Sequence, residues 1–344
     1  MATMLPQMDL HATGIGALPH LDPDAACRSV LAAFPRVPYA PTLPNRGLLE
    51  RIVFCDSEHL PGRVLADERL TVDTSGSHAP AMEQILLDYL EGNAAPYAVG
   101  EAYGSAFHRM LSFDLSDVLV FKFQLTGSVT FGMQVVDERK RPIHYDPEYA
   151  DVLNKMIALR AKWCETVMRE RTGAKRTLIV LDEPYLAALG SSVVPVDEEV
   201  VRSSVSDAAG LLEGSLGIHC CSNTDWGFLM SLEPAVISFD AYQHAREFLL
   251  YADDLAAYLE AGGVIAWGIV PSEPHLYAAE SLDALFDRFM QIRSKVTDLV
   301  GDRLFNERSL ITPTCGIRLA DVPDAEAIMQ TAAELSRRAR EEAA

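Results

Sequence analysis

No run of apolar residues in this 344-residue sequence approaches the ~20 needed to cross a bilayer. Positive charge is scarce as well: 29 Lys and Arg stand against 49 Asp and Glu, a formal net charge of -20. A balance of that sign argues against nucleic-acid backbones and anionic membranes as partners, since both select basic surfaces. Cysteine is sparse and dispersed, at positions 27, 55, 164, 220, 221 and 315, which does not fit the disulfide framework of a small secreted domain. The opening residues 1–6 lack the basic region and apolar stretch of a secretory signal. The expected compartment is the reducing cytoplasm, where neighbouring Cys and His serve metals or catalysis more often than cross-links.

What is present is an ordinary globular composition, 49% hydrophobic and 23% charged, with ample material for a large core. Thr13–Leu18 is short, apolar and glycine-spaced. Asp22 then offers an N-cap with Pro23 at the first helical position, and a helix follows to about Phe34. Val37–Leu43 is a second strand-like piece, weakened by its prolines. Residues 50–117 lose clear periodicity and read as a helix-containing excursion within one domain spanning 1–344, not as a separate folding unit.

Strong periodicity returns with a strand over 118–125. Next comes a helix capped by Asp146, opened by Pro147 and ended by Gly173. Further apolar strands are expected at 177–181, 216–221, 235–240, 264–270 and 310–315. The helical stretches 246–261 and 282–300 separate the later ones. About eight strand–helix units point to a single (β/α)8 barrel of the TIM type, with the excursion inserted after its second strand; a doubly wound open sheet is the alternative.

In such a barrel the chemistry gathers at the C-terminal ends of the strands. Along a strand, side chains alternate, so His219 and Cys221 face one way and Cys220 the other. An imidazole and a thiol on one face make half of a zinc site, and Asp240 and Cys315, at the ends of two later strands, are the candidates to complete it. Cys27, Cys164 and Cys220 read instead as packing thiols. Asp182 and Glu183, which end the 177–181 strand, are polar groups at the same rim. Their alternative is a structural salt bridge. Trp226 and Trp267 read as core residues.

Gly-Ile-His-Cys-Cys at 217–221, Leu-Asp-Glu-Pro at 181–184, Ile-Ser-Phe-Asp at 237–240 and Thr-Pro-Thr-Cys-Gly-Ile at 312–317 resemble the catalytic barrel of cobalamin-independent methionine synthase. Thr-Gly-Ile-Gly-Ala-Leu-Pro-His at 13–20 and Leu-Thr-Gly-Ser-Val-Thr at 125–130 resemble that family's first and third strand ends. The family shares its fold with zinc thiol methyltransferases and uroporphyrinogen decarboxylases. The resemblance implies Zn2+ held by His219, Cys221, Asp240 and Cys315, with Asp240 standing where glutamate is usual. It implies Asp182 on the amino group of homocysteine, with Glu183 beside it, and backbone contacts from Ile15 and Gly16 to the substrate. Ala17 replaces the serine that would hold the carboxylate. Asp182 and His20 are the candidate catalytic side chains, and a satisfied rim histidine is the alternative for His20.

Two departures bear on the methyl donor. The folate-binding N-terminal barrel of the double-barrel enzymes has no counterpart here, and Ala266–Pro271 carries no histidine for acid–base work. A folate amine needs a proton to leave, whereas cobalt leaves a methylcorrinoid unprotonated. The expectation is therefore a core enzyme methylating homocysteine or a similar small thiol from a corrinoid protein. A coenzyme M methyltransferase would lack the amino-acid pocket. A decarboxylase would need more arginine than Arg28 and Arg36 supply near the N-terminus. A structural zinc site would be closed by four ligands, without an adjacent pocket.

Overall fold

The structure is a computed structural model and describes residues 5–343. The described residues form nine strands in two sheets. β1 (Arg63–Ala66), β2 (Arg69–Val72) and β4 (Val136–Asp137) make a small one, with β1 antiparallel to β2 and β4 parallel to it. β3 (Phe121–Thr126), β5 (Thr177–Asp182), β6 (Ser215–Cys220), β7 (Val236–Phe239), β8 (Val264–Val270) and β9 (Ser309–Pro313) make the main sheet, all parallel and in chain order. Every residue of β3, β6, β7, β8 and β9 is buried, as in a parallel sheet covered on both faces.

Six strands therefore stand where about eight were expected. Between β9 and β3 run irregular segments with isolated parallel bridges: Ala12 to Ile311 of β9, Ala17 to Thr42, and Tyr39 to Lys122 of β3. Backbone bonds follow the same path, from Thr13 N to Ile311 O, Thr42 N to Gly16 O and Ala40 N to Lys122 O. Pro38 and Pro41 remove ladder donors from the second segment, and Gly16, at φ +33°, bends the first out of strand geometry.

The helices begin with α1 (Pro23–Ala33), α2 (Ala79–Glu91), α3 (Ser105–Met110), α4 (Ser128–Gln134), α5 (Pro147–Thr172) and α6 (Glu198–Leu211). They continue with α7 (Trp226–Ser231), α8 (Ala241–Phe248), α9 (Ala252–Glu260), α10 (Pro274–Tyr277), α11 (Leu282–Val300), α12 (Asp302–Glu307) and α13 (Val322–Glu342). The expected caps form: Asp22 accepts from Asp24 N at 3.0 Å, and Asp146 accepts from Glu148 N at 3.0 Å. The helix expected over 246–261 is broken into α8 and α9 by a 3-10 turn at Leu249–Tyr251.

Residues 50–117 contain the β1–β2 hairpin as well as helices, and their buried side chains, among them Leu70, Ile85 and Phe107, join the core cluster that covers the main sheet. Asp56 pins the start of this stretch to the sheet. One oxygen accepts from Thr126 N at 2.8 Å, at the end of β3, and the other from Arg160 Nε of α5 at 3.0 Å. Arg160 also donates to Cys55 O at 2.6 Å, and both members of the ion pair are almost completely buried.

Candidate metal centre

The register of the main sheet lines up three side chains across adjacent strand ends: Asp182 opposite His219, and His219 opposite Ser238. Ser238 Oγ lies 3.0 Å from His219 Nδ1. That contact fixes the imidazole plane and leaves Nε2 buried without a hydrogen-bond partner among the described residues. Cys221 follows on the same face, one residue past β6. Cys220 points the other way, fully buried, with burial pushing its thiol up to about 12.

Cys315 arrives from the far side of the sheet, two residues past β9. Its loop is held on both flanks: Thr314 N donates to Val270 O at 2.8 Å, and Ile317 N to Ala17 O at 2.8 Å. The packing is close enough that a Cβ at Gly316 would lie 3.0 Å from the Ala17 Cβ. The ligand atoms of His219, Cys221 and Cys315 consequently lie within 4.8 Å of one another. The two thiols act as a pair. Cys315 donates to Cys221, and the imidazole stands beside it, so the first proton leaves easily and Cys221 is pulled down to about 4. The thiolate so formed, together with burial, pushes Cys315 up. A nitrogen and two sulfurs converging, with an orphaned imidazole nitrogen, suit a borderline-soft divalent ion such as zinc.

Asp240 does not join this group. It caps α8, with Oδ1 accepting from Gln243 N at 2.9 Å and Oδ2 from Gln243 Nε2 at 2.8 Å. Burial raises its pKa. An Asp at a strand end that opens a helix is as good an N-cap as a ligand, and here the cap takes both oxygens.

Asp182 sits at the rim beside His219, partly exposed, with burial raising its pKa to about 6 against the pull of His219 and Lys122. Glu183 faces the other way, where its carboxylate accepts from Val129 N at 3.1 Å and Thr130 N at 2.7 Å in the first turn of α4. It is a helix cap, not a side chain of the cluster, and burial raises its pKa to about 7. His20 is buried, with Nε2 3.4 Å from Glu326 of α13, and Glu326 also accepts from Ser29 Oγ. Ile15 is buried against the Cys315 loop. Gly16 lies over Asp182, but its N–H is taken by Gln124 Oε1 at 2.9 Å. Trp226 and Trp267 are both fully buried in the core.

The motif reading missed Gln124 and Lys122 on β3. Their signal was strand alternation: Phe121, Phe123 and Leu125 take one face, so Lys122, Gln124 and Thr126 must share the other. β8 carries no histidine, and the next one along the chain, His275, is largely exposed and 3.7 Å from Glu273.

No family model matches the sequence, and no curated protein does. Solved structures share its fold. A B12-independent methionine synthase from Shewanella sp. W3-18-1, in complex with selenomethionine, superposes with a TM-score of 0.60 at 13% identity, covering 99% of each chain. A structure from Listeria monocytogenes, assigned as a vitamin-B12-independent methionine synthase, gives a TM-score of 0.54 at 15% identity, over 92% of this chain and 86% of that one. At these identities the likeness is one of fold.

Proposed function

We propose that this chain is a zinc-dependent S-methyltransferase that methylates a small thiol, homocysteine foremost, from a corrinoid carried by a partner protein. The observation that carries the reading is the convergence of His219, Cys221 and Cys315, with His219 Nε2 lacking a hydrogen-bond partner among the described residues. The fold shared with methionine synthases supports the acceptor. We read residues 1–344 as one catalytic barrel, with the two bridged segments filling its first two strand positions.

A zinc ion held by the three side chains would ionise an incoming thiol and keep its sulfur nucleophilic. Three protein ligands leave the fourth position for substrate, which fits catalysis better than a closed structural site. Ser238 meets His219 Nδ1 and so keeps Nε2 available to the centre. Cys315 donates to Cys221, which favours the Cys221 thiolate as a ligand. Asp182 stands one strand away, where its carboxylate can pair an ammonium group on the acceptor. Holding acceptor and donor in line is then a large part of the rate enhancement.

The neighbours' names place their own donor outside B12. The corrinoid donor proposed here rests on the absence of a histidine on β8. Purified zinc-loaded protein offered homocysteine should form methionine from methylcobalamin and not from methyltetrahydrofolate. Turnover with the folate alone would contradict the donor, and no methyl transfer from either to any thiol would contradict the whole reading.

A further inference from the structure

Gln124 has more hydrogen bonds than a rim side chain needs. Its Oε1 accepts from Gly16 N at 2.9 Å and from Lys122 Nζ, and its Nε2 donates to Asp182 Oδ1. Lys122 is itself buried. It donates to Gly14 O at 2.7 Å, and its ammonium stands 5.5 Å from the centre of the Tyr39 ring. The direction of the amide is set by the Gly16 N–H, a donor at any pH: a flipped Gln124 would put its NH2 against that N–H, donor against donor, while burial lowers the pKa of the Lys122 amine to about 7. Oε1 must face Lys122 and Gly16, so Nε2 must face Asp182.

Two consequences reach the substrate. One oxygen of Asp182 is held by Gln124, while Oδ2 lies 3.9 Å from the position a Cβ would take at Gly16, with no side chain there to cover it. That oxygen is placed to receive an incoming cation. The Gly16 N–H, by contrast, is a backbone donor already taken by Gln124, and Ala17 next to it has no hydroxyl. The first segment thus keeps no donor at Gly16 or Ala17 side chain for a carboxylate.

We infer that Gln124, oriented by Lys122, is the specificity-determining residue of the acceptor site. By fixing Asp182 it selects thiols that carry an ammonium group, and by occupying the Gly16 amide it makes the carboxylate dispensable. The inference rests on the thiol-acceptor reading above and narrows its substrate class to aminothiols, of which homocysteine is one. Gln124 acts through Asp182 and is a positioning residue.

The test is calorimetric binding of three thiols to zinc-loaded protein: homocysteine, 3-aminopropane-1-thiol without the carboxylate, and 4-mercaptobutyrate without the amine. Wild type should bind the first two within a few-fold of each other and the third at least about tenfold more weakly, the scale of one charge-assisted hydrogen bond. Gln124→Met should weaken both amines about tenfold, leave 4-mercaptobutyrate unchanged and keep its zinc content. Lys122→Met should move binding in the same direction by less, a second route should Gln124→Met fail to fold. Equal binding of 4-mercaptobutyrate and homocysteine by wild type overturns the inference alone, as does a Gln124→Met protein that keeps its preference for amines. Failure of wild type to bind any of the three overturns the acceptor reading, and this inference with it.

Discussion

His219 is held by its neighbours more than by its own strand. Ser238 sits directly across the ladder and meets Nδ1 at 3.0 Å, which holds the ring and leaves Nε2 for the two sulfurs. Outer partners of this kind tune a metal ligand's orientation and basicity. Ser238→Ala should therefore weaken zinc binding by ~10–100-fold, measured by competition with a chelating dye, while the fold is unchanged. Unaltered affinity would show that the imidazole is positioned by packing alone. At this scale the His219–Cys221 pairing was legible, because period-two alternation is a property of any strand. Ser238 was not, although it lies in the same short motif as Asp240. Both share a face of the chain, and only the inter-strand register reveals that the serine meets His219 while the aspartate turns to cap α8.

At the scale of elements, the excursion over 50–117 is tied to the main sheet by the Asp56–Arg160 pair. Both oxygens of Asp56 are in use, and the guanidinium is buried under it. Removing Asp56 leaves the buried Arg160 with only the longer contact to Glu58 at 3.6 Å, and breaking a buried pair costs ~3–5 kcal/mol. Asp56→Ala should lower stability by about that amount in denaturant titrations. A loss below about 1 kcal/mol, the scale of an exposed pair, would mean that water reaches Arg160. The helices α1 and α5 were legible from Asp22, Asp146 and Gly173, which are strong local signals, and α11 from its apolar spacing. The β1–β2 hairpin was not. Its turn residues, Asp67 and Glu68, both adopt positive φ, a conformation ordinarily announced by Asn-Gly or Asp-Gly. The two bridged segments were hard for the opposite reason. Their apolar runs look like strands, but Pro38, Pro41 and Gly16 deny them a continuous ladder.

At the scale of the whole molecule, the sheet order is what turns distant residues into a site. Chain order equals spatial order from β3 to β9, and the bridged segments run from β9 back to β3. Cys315 is thereby carried to within ligand distance of His219 and Cys221, although nearly a hundred residues of chain lie between. Reading strand ends as the place where chemistry collects singled out these three together with Asp240 and Glu183; the first three converge, and the other two cap helices, because strand ends are where helix caps collect too. No helix among the described residues is long and apolar enough to cross a membrane.

Elemental analysis of the purified protein is the most direct measurement of the central claim, that three side chains from two remote strand ends hold one divalent ion. Wild type should carry about one zinc per chain, Cys221→Ser and Cys315→Ser should each lose most of it, and Asp240→Asn should retain it. A wild-type protein that takes up no zinc, or a double Cys221→Ser, Cys315→Ser protein that keeps it, would contradict the account.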